Sequence, residues 1–160
     1  MKQDRFLTGI LIGIAALVVF ALAVFFLRQD NLVYAAEDTP AGVVQNYVVA
    51  LHKHDYAKAY AYVADVAGKP TLEQFRQSFT TGHELDPASR ALELGATEIS
   101  GASATVKLSV NDLPSDLFSE GRVSSDYAQL VNQNGAWKIK QMPYSFWSYA
   151  WYQPTALPAP

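Results

Sequence analysis

The stretch Ser103-Ala-Thr-Val-Lys-Leu-Ser-Val-Asn111 decides the fold class, because apolar and polar residues alternate along it. Every second residue from Ala104 to Val110 is apolar, and the residues between them are polar. Successive side chains of a strand point to opposite faces of the sheet, so this pattern predicts a β-strand with one buried face. The chain on either side of this strand extends the prediction to a sheet.

Three further strands are predicted around this one. Residues 90–99 precede it across the short turn at 100–102, and residues 124–132 and 136–142 follow it. The last two strands are joined by Asn134-Gly135, a strong signal for a tight hairpin turn. The sequence therefore predicts a four-stranded antiparallel sheet.

Three helices are predicted before the strands. The first begins at Thr39-Pro40, where a capping side chain precedes a proline, and the second is capped by Asp55. The third begins with a capping box over Thr71–Gln74. A run of helices followed by a run of strands predicts an α+β domain over residues 39–142, with the helices packed on one face of the sheet.

The order of these elements resembles the NTF2-like superfamily, whose cystatin-like cone is a curved sheet wrapped around helices. The resemblance rests on Val43–Tyr60, which runs from the first helix into an aspartate-capped second helix, on Thr71–Phe75 and on the closing hairpin at Asn134–Ile139. It implies three helices packed on a curved four-stranded antiparallel sheet. Within the superfamily, the chain most resembles small membrane- or lipid-anchored members of bacterial surfaces, whose function is uncharacterised. The superfamily contains isomerases and dehydratases as well as binding modules, and no catalytic motif of its enzymes can be placed on this chain.

A charge-free apolar run over residues 6–27 precedes the domain. At about 1.5 Å per residue it would rise roughly 33 Å as a helix, which predicts a transmembrane signal anchor. Lys2 and Arg5 before the run predict a cytoplasmic N-terminus over residues 1–5 and an extracytoplasmic domain, in a single-pass protein of the cell membrane. Residues 28–38 are predicted to be a tether. Cleavage of the run as a signal peptide near Ala35 is the alternative, although the run is longer than a typical signal-peptide core.

Composition excludes several classes of function. The chain has no cysteine, so a disulfide scaffold, a thiolate zinc site and a cysteine nucleophile are excluded. Its net charge is −3, and it has no cluster of Lys and Arg. We therefore expect no nucleic-acid partner, because neutralisation of phosphates supplies much of the affinity for nucleic acids. We also expect no cofactor.

Titratable side chains suggest two sites that we do not favour. His52, His54 and Asp55, with His83-Glu84 as possible partners, have the ligand types of a metal site. Histidines two residues apart point to different sides of a helix, so we expect a solvated turn and no metal. Acid–base chemistry inside the cone would require an inward carboxylate. The candidates are Glu93, Glu98 and Asp126, with tyrosines 47, 56, 60, 62 and 127 as further polar groups, and we assign no catalytic residue.

The C-terminal segment, residues 143–160, combines aromatic residues with a proline-rich tail. Its aromatic part is uncharged, and it would either extend the last strand as core or contact a partner. Tyrosine and tryptophan are enriched at hot spots of protein interfaces and at the membrane surface. We therefore predict an interface formed by Tyr144, Phe146, Trp147, Tyr149, Trp151 and Tyr152.

These features predict a non-catalytic binding and assembly module, tethered to the bilayer through residues 6–27, that acts as an accessory subunit of a membrane protein complex. Its partner would be another membrane protein or a second copy of the chain. The alternative is a small-ligand-binding protein or an isomerase- or dehydratase-like enzyme that uses the cavity of the cone.

Overall fold

The computed structural model describes residues 5–27, 32–81, 85–112 and 121–152. The chain divides into two compact units between Leu32 and Val33. The described residues of the first unit form the helix α1 (Arg5–Leu27). The second unit contains all the other helices and strands.

The predicted transmembrane helix over residues 6–27 is wrong. Among the described residues, no helix combines the length and the apolar character that crossing a membrane requires. The predictions of a signal anchor and of a single-pass location in the cell membrane are therefore wrong as well. The same holds for the predicted cytoplasmic N-terminus and extracytoplasmic domain.

Three helices open the second unit, and each begins with the cap that the sequence predicts. In α2 (Pro40–His52), the Thr39 hydroxyl accepts a hydrogen bond from the Gly42 amide at 3.1 Å. In α3 (Tyr56–Ala61), the Asp55 carboxylate accepts one from the Lys58 amide at 3.0 Å. In α4 (Leu72–Thr80), both bonds of the Thr71–Gln74 capping box are present. These caps satisfy amide groups that the first turn of a helix leaves without partners.

The four strands form one antiparallel sheet in sequential order. They are β1 (Arg90–Ser100), β2 (Ser103–Asp112), β3 (Val123–Gln133) and β4 (Ala136–Gln141). The second unit therefore has an α+β fold with three helices before a four-stranded antiparallel sheet, an arrangement consistent with a cystatin-like cone.

The alternation in β2 produces two faces of different character. The apolar residues of β2 are buried, as are Ala128 and Leu130 of β3 and Ile139 of β4. The opposite face carries the exposed side chains Lys107, Tyr127 and Gln129. One face of the sheet therefore builds the core together with α2, α3 and α4, and the other faces water.

The two edges of the sheet differ. Beyond β4, residues 62–64 add a short parallel bridge: the Ala64 amide donates to the Ile139 carbonyl at 2.8 Å, and the Ile139 amide donates to the Tyr62 carbonyl at 2.7 Å. At the other edge, the pairing of β1 with β2 shifts register between Leu94 and Thr97, and residues 95–100 are exposed. A bulge of this kind twists an edge strand and hinders further pairing there.

Candidate interaction surface

The chain after β4 turns across the core and does not extend the strand. Met142 and Pro143 are buried, residues Tyr144–Phe146 form one short 3-10 turn, and residues Tyr149–Tyr152 form a second. Between the turns, Trp147 has an extended backbone. We call residues 142–151 the aromatic segment. Because it turns twice, its rings do not alternate between two faces as they would in a strand.

The inner half of the aromatic segment belongs to the hydrophobic core. The side chains of Phe146 and Trp147 are 0% and 1% exposed. The Tyr47 hydroxyl donates to the Phe146 carbonyl oxygen at 2.7 Å, which ties the segment to α2. The Trp147 ring lies 6.3 Å from that of Tyr47 and 4.9 Å from that of Trp151, measured between centroids. Edge-to-face and tilted contacts of this kind stabilise aromatic pairs beyond the area they bury.

Trp151 connects the aromatic segment to α4. Its ring centroid lies 5.1 Å from that of Phe75, and its indole N–H donates to the Ser78 hydroxyl at 2.9 Å. Phe75 is fully buried, and Phe79 beside it is half-buried. Phe75 and Phe79 of α4 thus both pack against Trp151, whereas Leu72 of the same helix is 43% exposed.

The outer half of the aromatic segment presents two tyrosines to solvent. Tyr144 is 51% exposed and Tyr149 is 43% exposed. Their ring planes are 9° apart, with centroids separated by 6.2 Å. Gln141 Nε2 donates a hydrogen bond to the Tyr149 hydroxyl at 3.3 Å. The Tyr149 hydroxyl in turn donates to the Met142 carbonyl oxygen at 3.4 Å. We call Tyr144 and Tyr149 the aromatic pair.

The predicted interface residues therefore lie in two different environments. Phe146 and Trp147 pack into the core, and Trp151 is half-buried against α4. The aromatic pair is exposed, and the side chain of Tyr152 lies outside the described residues. The contact of these residues with a partner stays a prediction, and the geometry restricts it to the aromatic pair and its surroundings.

The carboxylates proposed for acid–base chemistry do not converge beneath the sheet. Glu93 is exposed, and Glu98 is exposed opposite Thr105 because the bulge in β1 moves it to the outer face. The Asp126 carboxylate is half-buried and accepts a hydrogen bond from the Tyr127 amide at 2.8 Å. Of the described residues, Asn46 is the one buried polar side chain.

The histidines lie at the turn between α2 and α3. His54 Nδ1 is 3.1 Å from the Tyr56 hydroxyl, and His52 is half-buried. Burial and then the neighbouring His54 lower the pKa of His52, with a smaller opposing effect of Asp86. Across the described parts of the chain, no group of three or more His, Cys, Asp and Glu residues is arranged to hold a metal ion. His83 and Glu84 lie outside those parts.

Sequence patterns gave no indication of the contacts made within the predicted tether. Residues 33–37 lie along α2 and α3, where the buried Asn46 makes two hydrogen bonds to the backbone of Ala35. The feature of the sequence that could have indicated these contacts is Asn46, which with Gln45 interrupts the mostly apolar residues from Val43 to Leu51.

No protein-family model matches the chain, and no curated protein matches its sequence. Solved structures similar to it include a protein from Rhodopseudomonas palustris that contains a SEC-C motif, with 10% identity, a TM-score of 0.48 and coverage of 67% of this chain and 79% of that one. A putative association domain of the calcium/calmodulin-dependent protein kinase type II kind, from Thiobacillus denitrificans, is similar with 8% identity, a TM-score of 0.46 and coverage of 63% and 89%. An uncharacterised cystatin-fold protein from Novosphingobium aromaticivorans is similar with 12% identity, a TM-score of 0.44 and coverage of 66% and 97%.

Proposed function

We propose that this chain is a non-catalytic binding and assembly module of the NTF2-like type, an accessory subunit that contacts a partner protein through the aromatic pair. The observation that carries the proposal is the division of the aromatic segment. Phe146 and Trp147 are buried in the core beneath the sheet. Tyr144 and Tyr149 of the same segment are exposed at the surface with their rings stacked.

The filled interior supports a role at the surface. A small-ligand site is usually a concave cavity with a few convergent polar groups. Here Met142, Phe146 and Trp147 of the chain itself occupy the core beneath the sheet. The alternative of a ligand-binding or enzymatic cone would need these side chains to move aside.

The surroundings of the aromatic pair suit a protein partner. Tyrosine buries a large area with only two side-chain torsions to fix, and tyrosines are enriched among interface hot spots. No charged residue occurs between Gln141 and the end of the chain, so a partner would not need to desolvate a charge along this segment. The hydrogen bond between Gln141 and Tyr149 also limits the conformations of the ring before binding.

Photo-crosslinking from positions 144 and 149 in the native host tests the proposal. We expect both positions to give the same crosslinked partner, either another protein or a second copy of the chain, which co-purifies in a fixed stoichiometric ratio. The Tyr144→Ser, Tyr149→Ser double variant should lose that partner. Crosslinking from Tyr127, which is 52% exposed on the outer face of the sheet, is the matched control and should not give it.

The proposal is overturned if the chain purifies as a monomer with no specific crosslink from either position. It is also overturned if the double variant retains the partner in the same ratio.

A further inference from the structure

Residues 33–37, which we call the strap, occupy a groove that contacts both their backbone and the side chains of Tyr34 and Glu37. The groove is formed by two residues of α2, one residue of α3 and the residue that follows each of these helices: Gly42, Asn46, Lys58, Lys53 and Tyr62. The strap Val-Tyr-Ala-Ala-Glu is short and has no helical or strand periodicity. Its position must therefore come from these contacts.

The first contact recognises an aromatic ring. The ammonium nitrogens of Lys58 and Lys53 lie 3.5 Å and 4.6 Å from the centroid of the Tyr34 ring. A cation within about 6 Å of a ring face is attracted by its quadrupole. An aliphatic side chain at this position would lose that attraction.

The second contact recognises extended backbone. The Ala35 amide donates to Asn46 Oδ1 at 2.6 Å, and Asn46 Nδ2 donates to the Ala35 carbonyl oxygen at 2.9 Å. One side-chain amide thus satisfies both polar groups of one residue, as a neighbouring strand would. Asn46 is 0% exposed with the strap in place, so both of these hydrogen bonds are shielded from water.

The third and fourth contacts select a small neighbour on the helix and an acidic residue on the strap. The Ala36 carbonyl oxygen lies so close to Gly42 that a side-chain carbon there would collide with it. The Tyr62 hydroxyl donates to Glu37 Oε1 at 2.7 Å. The groove therefore contacts the aromatic ring of Tyr34, the backbone of the next two residues and the acidic side chain of Glu37, in that order.

Within the strap, Tyr34 packs against the hydrophobic core and Ala35 is half-buried, and the other residues lie at the surface. Val33 is 62% exposed, Ala36 and Glu37 are exposed, and the chain divides into its two units directly before Val33. Segments with few buried apolar contacts open at low free-energy cost, and exchange of a terminal element between identical chains is a simple route to a dimer.

We propose that the groove is a recognition site for an extended four-residue segment with an aromatic first residue and an acidic last residue, filled by residues 34–37 within one chain and by the same residues of a second copy in an assembled form. This site is separate from the aromatic pair and does not depend on the function proposed for it.

A pair of full-length variants tests the exchange. The acceptor, Tyr34→Leu with Glu37→Gln, has a weakened strap and an intact groove. The donor, Gly42→Ala, has an intact strap and a blocked groove, and alanine within a helix preserves the helix. We expect the mixture to contain a 1:1 complex by analytical ultracentrifugation, in a mild non-ionic detergent that covers the exposed apolar side chains of α1. A donor that also carries Tyr34→Ser is the matched control and should give no complex.

A labelled peptide of residues 32–38 provides a second readout by fluorescence anisotropy. We expect saturable binding to the acceptor, at least tenfold weaker binding to the unchanged chain, whose own strap competes, and at least tenfold weaker binding to the acceptor with Gly42→Ala. If circular dichroism shows that the acceptor is unfolded, the milder variant Glu37→Gln replaces it. Absence of saturable binding to a folded acceptor, or equal binding after Gly42→Ala, overturns the proposal.

Discussion

The strap lies before the helices and strands of the α+β unit, and the aromatic segment lies after them. The two segments are attached to the unit by different kinds of contact. The strap is held by individual polar atoms, chiefly those of Asn46 and Tyr62. The aromatic segment is held by the packing of large rings around Trp147. Hydrogen bonds depend on direction and on single atoms, whereas packing depends on volume. The two attachments should therefore fail under different substitutions and to different extents.

The largest effect is expected where packing is removed. Trp147→Ala should lower the free energy of unfolding by about 3–5 kcal/mol, because the buried ring leaves a cavity that its neighbours cannot fill. Urea unfolding followed by far-ultraviolet circular dichroism measures the loss. Tyr149→Ala, on the exposed side of the same segment, is the control and should cost less than about 1 kcal/mol. Equal losses for the two variants would contradict the division into inner and outer rings.

A smaller loss is expected where a polar attachment is broken. Asn46→Ala should lower the free energy of unfolding by about 1–3 kcal/mol, since both polar groups of Ala35 lose their partner. Amide hydrogen exchange should become faster at Ala35 while the core strands keep most of their protection. Gln45→Ala removes one 3.3 Å bond to the Val33 carbonyl and should stay within about 0.5 kcal/mol of the unchanged chain. Slow exchange at Ala35 in Asn46→Ala would show that the strap is held by something else.

The bond between Tyr62 and Glu37 should contribute less than Asn46 does. Tyr62→Phe should cost about 1 kcal/mol, and a double-mutant cycle with Glu37→Ala should be non-additive because the two residues share one hydrogen bond. Burial, followed by the hydrogen bond to Glu37, raises the pKa of Tyr62. The stability linked to this phenol is therefore complete below the unfolded-state pKa of about 10 and declines as the pH rises above it. Additive losses in the cycle would argue against the bond.

The smallest effect is expected at the turn between α2 and α3. Burial and then His54 lower the pKa of His52 in the folded state. Protonation is therefore less favourable in the folded chain than in the unfolded chain, whose histidine pKa is about 6.5. The stability linked to His52 is present above pH 6.5 and declines as the pH falls through the folded pKa. His52→Gln should flatten the dependence of urea unfolding on pH between 7 and 5, and an unchanged slope would contradict this assignment.

Local signals in the sequence predicted the regular elements well. Thr39, Asp55 and the Thr71–Gln74 box cap the three helices, because each side chain bonds to an amide within four residues. Asn134 and Gly135 have positive φ angles of 55° and 84°, as a tight hairpin turn requires. The candidate site was less predictable. The composition of the aromatic segment indicated buried rings or a contact surface, and the choice for each ring depended on where the segment turns.

By itself, the sequence determined the α+β order, the caps and the buried face of β2, because these follow from interactions between residues close in the chain. Only the tertiary structure decided that Phe146 and Trp147 lie inside while Tyr144 and Tyr149 lie outside. It also decided that the strap lies in a groove 11 residues further along the chain, at Asn46. Both results depend on surfaces assembled from distant segments, and no periodic pattern within either segment encodes the shape of those surfaces.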